Sequence, residues 1–273
     1  MNGFRGTYTV MITPFDDAGG LDLPGLQRFV NWQITQGIHG LVALGSTREF
    51  LSLSDEEHEA VAATAIEAAA GRVPVLIGTG ADDTRKAVRL SRRAERLGAD
   101  RVMIIPPFYC TPTEDELFHQ YRTISEAIGI PIMLYNNPAM ANVDMKPNMI
   151  ARLSAIDNCR YVKETTLDVT RVRDIIRLCS ETMGVFGGIL GFESFVEGAC
   201  GWIAVAADVA PNALAQLFRL VVDDENLIDA RRLCRRYTRL IEFVGGQRPP
   251  RLTLPAAENA TAQAIVRELG LSA

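Results

Sequence analysis

Short apolar runs alternate eight times with amphipathic helical patterns along this 273-residue chain, and no other feature narrows the fold as much. The runs fall at residues 6–13, 38–45, 73–80, 101–107, 131–137, 159–165, 184–190 and 201–207. Each is apolar almost throughout rather than alternately apolar and polar, the pattern of strands covered on both faces. Strands of that kind separated by helices require a parallel sheet, and eight such units predict a closed (β/α)8 TIM barrel of the α/β class. A doubly wound open sheet is the runner-up.

Two helix starts are written plainly. Ser54-Asp55-Glu56-Glu57 reads as a capping box opening a helix to about Ala70, and Thr113-Glu114-Asp115-Glu116 repeats the pattern before Leu117. The eighth unit ends with a helix over 213–222, and a polar break, Asp223-Asp224-Glu225-Asn226, follows it. The expected division is therefore a barrel over 1–223 carrying the active site, and a helical extension over 224–273. The extension comprises a helix over 227–244, a linker over 245–250 and a short helix over 260–269. It is too small to fold alone and should lie against the barrel.

Composition excludes several classes. The net charge is −5 with no Lys/Arg-rich block, which argues against a nucleic-acid partner or an anionic membrane surface. No window resembles a membrane span. The three histidines match no metal-ligand spacing, and the five cysteines include no CxxC pair, so free thiols in a reducing, cytoplasmic setting are expected.

Side chains at the C-terminal ends of barrel strands converge on one mouth. Those ends supply Ser46 and Thr47 after strand two, Tyr109 after strand four, Tyr135 on strand five and Lys163 on strand six. Lys163 stands in an apolar run, where an ammonium must find a partner or lose its proton. A neutral amine beside a ketone forms an imine, and a phenol such as Tyr135 is suited to carry the protons. Ser46 and Thr47 can offer hydroxyl and backbone N–H donors to a substrate carboxylate. The plainer reading of Lys163 is a strand-end lysine that reaches solvent or pairs with Glu164. Tyr135 and Tyr109 read equally as packing residues, and Ser46 and Thr47 as loop caps.

Four motifs, in order, carry a family resemblance: Thr13-Pro14-Phe15, Gly45-Ser46-Thr47-x-Glu49, Tyr135-Asn136-x-Pro138 and Lys163-Glu164. Over residues 6–244 the chain resembles the dihydrodipicolinate synthase/N-acetylneuraminate lyase family of class I pyruvate-dependent aldolases. The resemblance implies a Schiff base on Lys163 with pyruvate or another 2-oxo acid, an aldehyde as second partner, and no cofactor. It assigns proton transfer to Tyr135, a proton relay to Ser46 and carboxylate binding to Thr47. Gly188 and Ile203 correspond to positions lining the pyruvate pocket. Tyr109 matches a tyrosine that crosses a dimer contact into the partner's site, and a homo-oligomer, dimer or tetramer, is implied.

The chain departs from that pattern in three places. Arg48 replaces a glycine: it clasps a second acidic group of the substrate, bends the loop and impairs the site, or points at Glu49 or solvent. Met140 replaces an arginine that binds the second substrate's carboxylate in synthase members, which favours a lyase, aldolase or dehydratase of another 2-oxo acid. The C-terminal region is shorter than the family's helical tail, implying altered tetramer contacts. The competing functional reading is an impaired relative that binds a carboxylate ligand as a sensor or scaffold, with a metal-dependent barrel enzyme third.

Overall fold

The structure, a computed structural model, describes residues 4–45, 50–246 and 256–271. Ser46, Thr47, Arg48 and Glu49 lie outside the described residues, as does the part of the expected linker after residue 246. Eight strands form a closed parallel barrel in sequence order, with β8 pairing back onto β1. They are β1 (Gly6–Val10), β2 (Gly40–Ala43), β3 (Val75–Gly78), β4 (Arg101–Ile104), β5 (Ile132–Asn136), β6 (Cys159–Glu164), β7 (Gly184–Gly187) and β8 (Gly201–Ala204).

All eight lie within the expected runs, but the ladders stop one to three residues short of each run's C-terminal end. Met11, Leu44, Thr79 and Ile105 explain the overshoot, since all four are buried just past the last paired residue. There the chain has left the sheet while its side chains still line the packed mouth. Hydrophobicity reports that burial, and hydrogen-bonded pairing ends earlier.

The uniform apolar runs conceal a real alternation. On β2, Val42 points into the barrel while Leu41 and Ala43 face the helices. Likewise Leu76 and Met103 fill the interior, flanked by Val75, Ile77, Val102 and Ile104 on the outer layer. Neighbouring strand residues point to opposite faces, and here both faces are dry.

The helices are α1 (Leu23–Thr35), α2 (Asp55–Ala69), α3 (Thr84–Leu97), α4 (Glu114–Ser125), α5 (Pro138–Ala141) and α6 (Pro147–Leu153). They continue with α7 (Thr170–Cys179), α8 (Gly191–Val196), α9 (Pro211–Phe218), α10 (Leu227–Gly246) and α11 (Ala256–Leu269). Both expected capping boxes are formed: Glu57 accepts from the Ser54 N–H at 2.8 Å, and Glu116 from the Thr113 N–H at 2.7 Å. Helix α9 ends in a π-helical turn, Arg219–Asp223, where a continuous helix to 222 was expected. Tyr237 and Leu240 of α10 and Ile265 and Leu269 of α11 are buried in the same apolar cluster as the outer faces of the strands. Among the described residues no helix is long and apolar enough to cross a membrane.

Phe4 closes the N-terminal end of the barrel. Its ring lies 4.8 Å from Tyr8, 4.5 Å from Tyr161 and 5.0 Å from Phe186, and the Arg101 guanidinium covers it at 3.8 Å. Gly201 makes room for this floor, because a Cβ there would come within 2.0 Å of the Phe186 ring.

Candidate active site

Strands β5 and β6 are neighbours, and their register sets Tyr135 opposite Lys163 and Asn136 opposite Glu164. The first pair points inward. Lys163 is 4% exposed and Tyr135 2%, and the lysine Nζ lies 3.9 Å from the centroid of the tyrosine ring. Tyr161, two residues before Lys163, points the same way and belongs to the floor, so one strand carries both the plug and the amine.

Glu164 points to the opposite face of β6. Its carboxylate accepts from the Asn136 side-chain amide at 2.9 Å and from the Thr166 N–H at 2.8 Å. A Lys163–Glu164 ion pair, the plainer reading of this dipeptide, is therefore not what the strand geometry provides.

The Tyr135 hydroxyl accepts a hydrogen bond from Asn137 Nδ2 at 2.8 Å. Asn137 is 7% exposed and sits just before Pro138, the first residue of α5. Sequence reasoning assigned it no role. The available signal was an amide two residues beyond a mouth tyrosine, held by a proline that fixes the helix start.

Gly188 follows β7 and donates its N–H to the Glu164 carbonyl at 2.7 Å. A Cβ at Gly188 would lie 2.2 Å from Thr165 Oγ1, so only glycine lets the exit of β7 approach the exit of β6 this closely. Ile203, on β8, is fully buried in the interior cluster that contains Tyr135. Phe108, Met140 and Val205 are partly buried against the same cluster.

Tyr109 stands elsewhere. It is 92% exposed, so the two phenols do not share a space with Lys163 within one chain. The cause lies in its loop: Asp82 accepts the backbone N–H groups of Phe108 at 2.7 Å and Tyr109 at 3.0 Å, and Asn142 donates to the Phe108 carbonyl at 3.1 Å. That clamp turns Phe108 inward and leaves the Tyr109 ring in solvent. The expected positions of Ser46, Thr47 and Arg48 are outside the described residues.

A closed parallel barrel with a buried primary amine against a phenol at the C-terminal end of its sixth strand is the arrangement that a lyase of the class I aldolase type requires. The model of the dihydrodipicolinate synthetase family matches residues 3–250, and the chain belongs to that family. The 4-hydroxy-tetrahydrodipicolinate synthase of Nitrobacter hamburgensis is 40% identical over 227 residues, which are 80% of this chain and 74% of that one. Among solved structures, the chloride-inhibited dihydrodipicolinate synthase from Acinetobacter baumannii complexed with pyruvate superposes with a TM-score of 0.94 at 30% identity, covering 98% of this chain and 99% of that one. Dihydrodipicolinate synthase from Thermotoga maritima gives 0.94 at 27% identity, covering 99% and 100%.

Proposed function

We propose that Lys163 forms an imine with C2 of pyruvate or a related 2-oxo acid, and that this adduct makes or breaks a carbon–carbon bond or eliminates water. The observation that carries the reading is the burial of the Lys163 amine 3.9 Å from the Tyr135 ring, on the scaffold of a pyruvate-dependent family. In the forward direction the neutral amine adds to the ketone and gives a carbinolamine. Loss of the carbinolamine hydroxyl as water, with one proton delivered to it, leaves the protonated C=N bond. Removal of a C3 proton then gives an enamine, whose C3 attacks an aldehyde carbon, and hydrolysis returns the amine.

Tyr135 is the proton carrier in this scheme. Its hydroxyl, held by Asn137, keeps a defined direction, which supports that role. Ser46 relays protons to it, and Thr47 binds the substrate carboxylate with Gly188 and Ile203 as pocket wall. Arg48 contacts the second acidic group when the substrate has one. The electrophile presents an uncharged face to Met140, which with Phe108 and Val205 is partly buried against the interior cluster.

The working unit is a homo-oligomer, dimer or tetramer, in which Tyr109 serves a partner's site. Tyr109, 92% exposed, is the side chain that a second copy covers in this arrangement. The five free cysteines suit a reducing compartment, so the proposed location is the cytoplasm.

The test is incubation with pyruvate and borohydride followed by peptide mass spectrometry. A reduced adduct confined to the Lys163 peptide is expected, and a folded protein that gives none refutes the imine.

A further inference from the structure

Directly beyond the Tyr135–Lys163 rung, on the outer face of the sheet, Asn136 and Glu164 form a second rung that is closed by side chains. Asn136 is fully buried and Glu164 3% exposed, and they bond at 2.9 Å. The side-chain hydrogen bonds of this pair each have a fixed direction. Glu164 accepts one bond from Asn136 and one from the Thr166 N–H, while Asn136 Oδ1 accepts the Met145 N–H at 3.0 Å. The Met145 carbonyl in turn accepts from Arg171 at 3.2 Å, and Arg171 pairs with Asp144 at 2.7 Å.

A carboxylate buried this deeply costs free energy unless its acceptors are filled. Glu164 is filled by neutral donors that belong to the two strands and the loop around the amine. Its neighbour in sequence is Lys163, and the neighbour of its partner is Tyr135. The bond therefore fixes the separation and register of the two reacting side chains from behind. Through Asn136 and Met145 it also anchors the segment after β5 that carries Asn137 and Met140.

We propose that Glu164 is a positioning residue for the imine chemistry, acting through Asn136 to hold Tyr135 and Lys163 in reacting alignment; the proposal rests on the imine reading above. Misplacement of reacting groups by about 1 Å costs about a hundredfold in rate, and that is the scale at which the rung acts.

The polarity of the rung supplies a test. In Glu164→Gln the new side-chain amide meets either the Asn136 amide or the Thr166 N–H, so two donors face each other. In the double variant Glu164→Gln with Asn136→Asp, the introduced glutamine donates to the introduced aspartate, and the Thr166 and Met145 N–H groups keep their acceptors. Single-turnover trapping with pyruvate and borohydride reads the rate of imine formation, and denaturant midpoints read stability. Wild-type protein should form the adduct, Glu164→Gln should form it about 10–100-fold more slowly under conditions where it is folded, and the double variant should recover to within about threefold.

An unchanged rate in folded Glu164→Gln, or a double variant no faster than the single one, overturns the positioning role. If Glu164→Gln does not fold, Glu164→Asp, which keeps the charge and shortens the reach, takes its place: it should also form the adduct about 10–100-fold more slowly, and an unchanged rate in it overturns the positioning role. Absence of adduct in the wild type overturns the imine reading itself, and the positioning role with it.

Discussion

Two basic side chains lie over aromatic rings inside this barrel at nearly equal distances, Arg101 over Phe4 at 3.8 Å and Lys163 over Tyr135 at 3.9 Å. The floor uses the residue that keeps its charge and the mouth uses the one that can surrender it. A guanidinium stays protonated throughout the working pH range and stacks flat on a ring, which suits a plug. An amine holds its proton less tightly and becomes a nucleophile without it. The aromatic partners differ in the same sense. Phe4 offers only a face, whereas Tyr135 offers a face and a hydroxyl held by Asn137. Contact geometry alone does not tell structure from chemistry, but the residue types on each side of the contact do.

Replacing the mouth lysine breaks this comparison most severely. Lys163→Arg keeps a basic group over the Tyr135 ring and Lys163→Ala removes it, yet both should lose the borohydride-trapped adduct and at least about a thousandfold in turnover, about 4 kcal/mol of transition-state stabilisation. Both should retain the circular dichroism of the native barrel. Turnover surviving in either variant would show that the mouth lysine is only another stacked cation.

The floor should respond in the opposite way. Phe4→Ala removes a 3% exposed ring that touches Tyr8, Tyr161, Phe186 and Arg101, and should cost about 3–5 kcal/mol of stability. Urea titration measures the loss. Adduct formation at low temperature, with the variant folded, should stay near the wild-type rate. A slow adduct despite an intact fold would mean that the floor shapes the site.

Tyr135→Phe sharpens the difference with a smaller effect. The ring remains beneath Lys163 and only the hydroxyl is lost, so imine formation should slow by about a hundredfold, the lower range for a positioned proton donor. The Asn137 amide loses its acceptor, and stability should fall by about 1 kcal/mol. Rapid-quench trapping that shows no change in rate would remove Tyr135 from the proton path.

How far these assignments could be read in the sequence differs between the two ends. The barrel was legible because period and punctuation agree: eight apolar runs, with Ser54 and Thr113 marking helix starts that the structure uses. Lys163 was legible as an anomaly, a charge in an apolar run. The floor was not, since Phe4 lies before the first run and Arg101 reads as a polar strand end; only barrel closure brings them together. The Asn136–Glu164 rung was hidden for a related reason. Strand alternation places Glu164 on the face away from Lys163, but its partner lies 28 residues earlier, on a neighbour that register alone assigns. Tyr109 points to solvent because Asp82 captures its backbone, a contact between two loops that no local pattern encodes.

His39 offers the finest test of the division. It sits beside the floor, its Nδ1 accepts the Thr7 N–H at 3.1 Å, and its ring meets Phe218 edge-on at 5.2 Å. Burial, reinforced by the nearby Arg219 charge, holds its pKa below the ordinary histidine value. A proton on Nδ1 would set two donors against each other. The folded state therefore binds this proton less readily than the unfolded chain, and its contribution to stability is complete above about pH 6.5, the unfolded value. As pH falls below that, the unfolded chain takes up the proton first and stability declines until the folded pKa is passed. His58, buried beside Gly78 and lowered by burial in the same direction, adds to the decline. Urea midpoints at pH 7.5 and 5.5 should show a less stable protein at the lower pH, and His39→Asn should flatten the difference by its share. A midpoint unchanged between the two pH values would mean that neither histidine is held neutral. The floor would then be as tolerant of charge as the Arg101 contact taken alone suggests.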